Sequence, residues 1–257
     1  MYEIIADLHA HSISSEHAFG TIREMALEAS AKGLYALAVT DHYGNIPGAP
    51  TNLHFCNMAE SLPLLYNGVL LLCGAEANVI DLDGNIDLPV RTAELMDWVV
   101  VSIHDILMEE KNPTEEQCTR LWLNVAENPY VNVIGHCGSP RFAFDYERLI
   151  PVFGKNGKLV EINAHSFVCR KSHIANCREI AKLCKKHSVS IVVNSDSHSD
   201  VQVGEFYEAL EMLEELDFPP ELIVNSSKQR LDEYFKRYTK VFDRSDRMKV
   251  RKTRELQ

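Results

Sequence analysis

The sequence predicts a single-domain α/β barrel, and three observations support this fold class. Short apolar runs alternate with helical patterns along nearly the whole chain of 257 residues. The apolar runs are almost continuous in Val, Ile and Leu, which is typical of parallel strands covered by helices on both faces. Seven such strand–helix units follow one another without a linker or a low-complexity segment, which favours one barrel over two separate domains.

The strands and helices are predicted from these runs and from the residues between them. Strands are expected over residues 3–9, 34–42, 68–79, 98–104, 131–136, 159–165 and 189–198. A Thr followed three residues later by Glu or Gln forms a capping box, which satisfies free amides at a helix start. Such pairs occur at Thr21 and Glu24 and at Thr114 and Gln117. A further helix is expected from residue 172 to about residue 186, and the expected stops and turns are Gly33, Gly157 and the Asp83–Gly84 pair.

Composition and charge exclude several classes of function. The net charge of −11 argues against a general affinity for nucleic acid or for anionic membranes. The seven cysteines form no CxxC pair, which is typical of reduced thiols in a reducing compartment. No apolar run reaches the roughly 18 residues that a membrane helix needs. Because the chain begins directly with a predicted strand and not with a leader, we expect a cytoplasmic protein.

Each predicted strand ends in side chains that can bind a metal or form hydrogen bonds. Of the eleven histidines, six lie at these ends: His9, His11, His42, His104, His136 and His198. His17 follows in the first loop, and Glu76 and Asp196 supply carboxylates. Because the carboxyl ends of barrel strands meet at one rim, we expect all nine side chains to converge there.

Converging imidazoles point to a multinuclear metal site. Without a cation they would be costly to desolvate and would repel one another when protonated. Imidazole suits Zn, Mn and Fe, and carboxylates can bridge two ions. His9 and His11 are two residues apart along an extended strand, so their side chains are expected to point the same way. Asp7, on the same face, is expected to orient one of the imidazoles.

The motifs "DLHAHS", "VTDH", "GAEAN", "SIHD", "IGHCG" and "SDSH" occur in this order. Together they resemble the motifs of the PHP family, named for its polymerase and histidinol-phosphatase members. Segments such as "LVEINAHSF" and "GEFYEALEML" extend the resemblance to the stand-alone bacterial phosphatases of the YcdX type, over roughly residues 3–235. The resemblance implies a distorted (β/α)7 TIM-like barrel. We expect it to occupy residues 1–240, with a basic tail over residues 241–257.

The resemblance also implies three divalent metal ions, with zinc expected and manganese or iron as alternatives. One ion would take His9, His11, Glu76 and Asp196. A second would share Glu76 and take His104 and His136. The third would take His17, His42 and His198.

The implied activity is that of a metal-dependent phosphoesterase that hydrolyses small phosphate monoesters. Metal-activated hydroxide is expected to attack phosphorus at the trinuclear site, with Glu76, Asp196 and His198 as the catalytic residues. Arg170 and Arg141 follow the sixth and fifth strands and are candidates to clamp the phosphate. His54, in a long loop, is a candidate substrate contact. The substrate is expected to be a small phosphorylated metabolite, and neither the family nor the residues identify a general acid.

Three rival functions stay open at this stage. A 3′-5′ exonuclease or phosphodiesterase of the same family would use the same chemistry, but the acidic chain and the lack of a fused polymerase speak against it. An amidohydrolase, such as a deaminase or lactonase, would have eight strands and one or two metals. A metal-binding scaffold would have no turnover.

The end of the chain carries six basic residues between 244 and 254. They suggest a solvated terminal segment rather than a nucleic-acid contact. Assembly into a homo-oligomer stays open.

Overall fold

The computed structural model describes residues 2–243. Its strands are β1 (Ala6–Asp7), β2 (Ala36–Val39), β3 (Leu65–Tyr66), β4 (Val69–Asn78), β5 (Trp98–Ser102), β6 (Val133–Ile134), β7 (Leu159–Asn163) and β8 (Ile191–Asn194). Its helices are α1 (Ile22–Ala31), α2 (Asn52–Ser61), α3 (Val90–Ala93), α4 (Glu115–Glu127), α5 (Tyr146–Lys155), α6 (His165–Cys169), α7 (Ile174–His187), α8 (Tyr207–Glu215) and α9 (Lys228–Tyr238).

The strands form one sheet in the order β1-β2-β4-β5-β6-β7-β8, and each neighbouring pair is parallel. This confirms the predicted seven-stranded α/β barrel, since every predicted run contains one of these strands. Two details differ from the prediction. The short strand β3 pairs antiparallel with β4, and His165 begins helix α6 instead of ending β7.

The predicted helix starts and turns are present. Thr21 and Thr114 each accept a hydrogen bond from the amide three residues later, and both capping boxes are complete. At the predicted hairpin turn, Gly84 has a φ of 75°, in the left-handed region that favours glycine.

The barrel closes between β1 and β8 with the help of a residue outside both strands. The side chain of Asn225 donates to the carbonyls of Ala6 in β1 (2.8 Å) and Val193 in β8 (2.6 Å), and it accepts from the Val193 amide (3.1 Å). Beyond the strand ends the two segments bond directly, because the Asp196 amide donates to the His9 carbonyl at 2.9 Å. Asn225 therefore forms, between β1 and β8, hydrogen bonds that the backbone of a neighbouring strand makes elsewhere in the sheet.

An inner core fills the amino-terminal part of the barrel and leaves the other end for polar side chains. Leu8, Leu72 and Trp98 are among the fully buried residues of this inner cluster. Tyr234 and Phe235 of α9 close it, with their rings 5.7 and 5.8 Å from the ring of Trp98. The space available for a site is therefore at the carboxyl ends of the strands.

The predicted boundary near residue 240 falls at the end of the described chain. Val241 is buried and Phe242 packs against the inner cluster. The remainder of the predicted basic tail, from residue 244, lies outside the described residues, so its role stays a prediction. Over residues 2–243, no helix has the length and apolar character required to cross a bilayer.

The first testable prediction concerns Asn225. In Asn225→Ala, buried backbone groups of Ala6 and Val193 lose their partners, at a cost of about 3 kcal/mol in the free energy of unfolding. Urea denaturation followed by circular dichroism measures this loss. Gln229→Ala, on the exposed face of α9, is the control and should change the value by less than about 0.5 kcal/mol. Equal midpoints for the two variants would contradict the role of Asn225 in closing the barrel.

Candidate metal centre

The carboxyl ends of the strands bring the nine predicted ligands to one rim of the barrel. Glu76 lies in β4 itself, and each of the others follows a strand or lies in the first loop. The side chains that follow strands are His9 and His11 after β1, His42 after β2, His104 after β5, His136 after β6, and Asp196 and His198 after β8. Parallel strands direct all of these ends to the same face, which is why residues distant in sequence meet there.

Glu76 is the buried centre of this group, and imidazoles approach both of its oxygens. The Nδ1 atom of His42 lies 2.7 Å from Oε2, and Nε2 of His136 lies 3.0 Å from Oε1. The Nε2 atoms of His9, His11 and His104 lie 3.4, 3.5 and 3.6 Å from the carboxylate oxygens.

Asp196 is the second buried carboxylate of the rim. Its Oδ1 lies 3.1 Å from Nε2 of His11 and 3.6 Å from Nε2 of His9. Its Oδ2 accepts from Arg170 and from Asn163, each at 3.1 Å. The φ of Asp196 is 55°, a strained left-handed conformation that aspartate tolerates better than most residues and that is common at functional sites.

The protonation states of these groups suit metal binding. Burial alone would raise the pKa of Glu76, but His9 and His104 outweigh it and hold the pKa well below its ordinary value. The pKa of Asp196 is likewise held low against its burial, by His9 and by a hydrogen bond from His11. Burial lowers the pKa of His11 and of His104 to about 3. Burial would lower the pKa of His9, but Glu161, Asp196 and Glu76 outweigh it and raise the pKa well above its ordinary value, so a cation at Nε2 would displace a proton there. The rim therefore combines ionised carboxylates with neutral imidazoles at His11 and His104, the forms that coordinate cations.

Glu161 fixes His9 from the side opposite the centre, a role that the sequence analysis missed. The Nδ1 atom of His9 donates to Oε1 of Glu161 at 2.7 Å, which leaves Nε2 facing Glu76. Glu161 also accepts from Asn194 (2.8 Å) and Asn163 (3.1 Å). The available signal was an acidic residue inside the fully buried strand β7.

The tautomer of His104 is fixed in the same way. Its Nδ1 atom lies 2.7 Å from Oδ1 of Asn78. The amide nitrogen of Asn78 donates to the Tyr43 carbonyl (2.7 Å) and to Asp87 (2.6 Å), so its oxygen must face His104. The Nδ1 atom of His104 therefore carries the proton, and Nε2 presents a lone pair toward Glu76.

Asp7 does not take the orienting role that the sequence analysis expected. Its carboxylate accepts hydrogen bonds from the amides of Ser195 (3.1 Å) and Gly204 (2.8 Å). It therefore holds the loop after β8, while the contact to His9 belongs to Glu161.

Asp41 and His54 hold the two loops that carry the first ligands. Asp41 accepts from the Ser12 amide (2.8 Å), from the Ser15 hydroxyl (2.8 Å) and from Nε2 of His54 (3.0 Å). The Ser15 hydroxyl in turn accepts from the amide of His42 at 3.1 Å. His54 lies in α2 and is engaged with Asp41, so a direct contact with substrate stays a prediction.

His17, His198 and Arg170 lie at the outer side of the centre. The Nε2 atoms of His17 and His42 are 3.2 Å apart, close enough to share a cation. The Nδ1 atom of His198 donates to the carbonyl of Asp196 at 2.9 Å and leaves its Nε2 free of that bond. Arg170 reaches the same aspartate through its side chain.

Arg141 is engaged with the loop after β5. Its guanidinium lies 3.0 Å from Asp105 and donates to the carbonyls of Lys111 and Glu110, each at 2.9 Å. Three of its five N–H donors are thus used within this loop, whereas Arg170 contacts a predicted metal ligand. A phosphate contact through Arg141 stays a prediction.

The side chains of the rim fit a group of divalent cations. The buried atoms His9 Nε2 and His11 Nδ1 make no hydrogen bond, and the 2.7 Å contact between His42 Nδ1 and Glu76 Oε2 does not have hydrogen-bond geometry. Such atoms cost roughly 1–3 kcal/mol each unless a ligand satisfies them. Three groups of side chains each bring their ligand atoms within 4.8 Å of one another. These groups are His9, His11 and Asp196; His42, Glu76 and His104; and His11, His42 and His198. These groups share His11 and His42, so they divide the ligands differently from the sets that the resemblance implied.

The chain is similar in sequence to a known protein family over most of its length. A sequence model of the PHP domain matches residues 7–246. A probable phosphatase of Acetivibrio thermocellus is 45% identical over 235 residues, which cover 91% of this chain and 96% of the relative. A probable phosphatase of Clostridium botulinum is 41% identical over 239 residues, which cover 93% of this chain and 97% of the relative.

Among solved structures, the fold is similar to histidinol phosphate phosphatase from Lactococcus lactis, crystallised with zinc, L-histidinol and phosphate. The TM-score is 0.56 at 16% identity, over 82% of this chain and 91% of the other. At this identity the likeness shows the fold and does not transfer a substrate.

The second testable prediction concerns Glu161. In Glu161→Gln the side chain keeps its shape but loses the charge that holds the proton on Nδ1 of His9. We expect metal affinity to fall about 10- to 100-fold, as for other groups that orient a metal-bound histidine. Competition with a chromogenic chelator measures the affinity, and Glu179→Gln, on the surface of α7, serves as the control. Unchanged affinity in Glu161→Gln would show that this contact does not support metal binding.

Proposed function

Because the chain belongs to the PHP domain family and is an enzyme of the phosphatase type, we propose that it hydrolyses small phosphate monoesters at a trinuclear metal centre. The observation that carries this proposal is the approach of five imidazoles to the single buried carboxylate of Glu76. Such a site is costly without a cation and suited to several.

The proposed ligand sets are those that the resemblance to the family implies. One cation would be held by His9, His11, Glu76 and Asp196, a second by Glu76, His104 and His136, and a third by His17, His42 and His198. Bound zinc, or manganese or iron in its place, would supply a water of lowered pKa and positive charge for the phosphoryl oxygens.

The chain's own residues prepare the site for a phosphate dianion. Glu161 and Asn78 hold the Nε2 atoms of His9 and His104 toward the centre. Arg170 places a permanent positive charge 3.1 Å from Asp196, where its remaining N–H groups are available to phosphate oxygens. With the proposed cations bound, the rim would be positively charged and would attract small anions. The net charge of −11 on the rest of the protein would repel a polyanion.

The charge balance favours a monoesterase over the nuclease alternative, and an assay separates the two. Parallel measurements with p-nitrophenyl phosphate and bis-p-nitrophenyl phosphate report monoester and diester hydrolysis. Faster release from the monoester supports the proposal. Faster release from the diester would identify a phosphodiesterase, and release from neither would leave the amidohydrolase and scaffold alternatives.

The third prediction is that a chelator abolishes this activity. Removal of the cations takes away the activated water and the positive charge that would face the phosphoryl oxygens. Hydrolysis of p-nitrophenyl phosphate should fall to background after chelation and return when zinc, manganese or iron(II) is added singly. Full activity in metal-free protein, verified by elemental analysis, would contradict the proposal.

The fourth prediction concerns the ligands themselves. Asp196→Ala and His104→Ala each remove a donor from the centre, and turnover should fall by more than about 100-fold together with metal content. Circular dichroism should show the barrel intact. Asp83→Ala, on an exposed turn, is the matched control and should keep full activity. Full activity in either site variant would refute the assignment.

A further inference from the structure

An open cavity of about 420 Å³ lies beside the proposed metal centre. It is lined by His17, Phe19, His165, Arg170, His198 and Gln202. Two of these residues, His17 and His198, belong to the proposed ligands, so the cavity borders the proposed metal centre. Its volume falls within the range that holds the organic part of a metabolite.

Phe19 is fixed at the wall of this cavity by its backbone. Its amide donates to the carbonyl of His198 at 2.8 Å. The next residue, Gly20, packs so closely on the loop after β8 that an added Cβ would lie 2.8 Å from the Asp200 amide nitrogen. The Phe19 side chain is nevertheless 76% exposed, so it contributes little to the core and its ring is available to a ligand.

Three of the residues that line the cavity are imidazoles in contact with one another. The ring of His198 stacks on His17 at 4.9 Å with an interplanar angle of 29°. It also stacks on His165, at 5.4 Å and 24°. Aromatic surfaces of this kind favour a planar partner over a flexible aliphatic one.

The charge of the cavity disfavours a cationic ligand. Among the described residues that line it, Arg170 is positively charged and none carries a carboxylate. An ammonium group placed here would face the guanidinium of Arg170 without gaining a counter-charge from the lining.

We propose that this cavity binds the leaving group of the substrate and selects a flat aromatic or heteroaromatic group without positive charge. This inference rests on the proposed phosphatase function and specifies its substrate class. Phe19 and His165 are its specificity-determining residues, and neither belongs to the proposed ligand set.

The test compares three esters of primary alcohols, so that the chemical step is similar in each: 2-phenylethyl, propyl and 2-aminoethyl phosphate. We expect kcat/KM to be about tenfold higher for the phenylethyl ester than for the propyl ester, because stacking on an aromatic side chain is worth about that factor or more. The aminoethyl ester should be the poorest substrate. In Phe19→Ala and His165→Ala the phenylethyl-to-propyl ratio should fall toward one.

Tyr207→Ala is the control, since Tyr207 is similarly exposed (65%) and does not line the cavity. It should leave the ratio unchanged. Thermal unfolding verifies that each variant is folded. If the wild-type protein hydrolyses all three esters equally, or if Phe19→Ala and His165→Ala leave the ratio unchanged, the inference is overturned while the phosphatase function stands. If the metal-loaded protein hydrolyses none of the esters and no p-nitrophenyl phosphate, the proposed function itself has failed.

Discussion

The buried carboxylate of Glu76 is the constraint on which the rest of the structure depends. A carboxylate with 1% exposure is stable only where positive charge or strong donors surround it. Five imidazoles provide that environment, and they come from loops that follow β1, β2, β5 and β6. The barrel is the scaffold that holds these distant segments at contact distance, and a cation is the partner that satisfies both the acid and the bases.

A layer of polar side chains beneath the rim determines which atom each ligand presents. Glu161, Asn163 and Asn194 form a hydrogen-bonded group behind His9 and Asp196. Asn78 plays the same part for His104. Because these groups are buried and fully bonded, the orientation of the imidazoles is built into the fold before any cation binds.

Much of this arrangement is predictable from the sequence, for reasons that also explain the omissions. Buried parallel strands leave continuous apolar runs, and a metal rim leaves histidines at their ends, so the strands and the nine candidate ligands could be identified. Asn225 and Asp41 carry no such pattern, because their roles depend on contacts with residues far away in the chain. Glu161 stood in a recognised strand, but only the paired register of β7 and β8 places it behind His9. His54 and Arg141 were chosen from predicted loops, where sequence does not specify the direction of a side chain, and a substrate contact through either residue stays a prediction.

Closure by Asn225 also sets an order of events during synthesis on the ribosome. The first strand is made early, yet its free edge gains this partner only after residue 225 has emerged. Until then the nascent chain exposes the unpaired edges of both terminal strands, which is the form of a sheet most prone to pairing with other chains. The last two proposed ligands, Asp196 and His198, emerge shortly before Asn225. The proposed ligand set and the barrel are therefore completed late and at nearly the same point of synthesis.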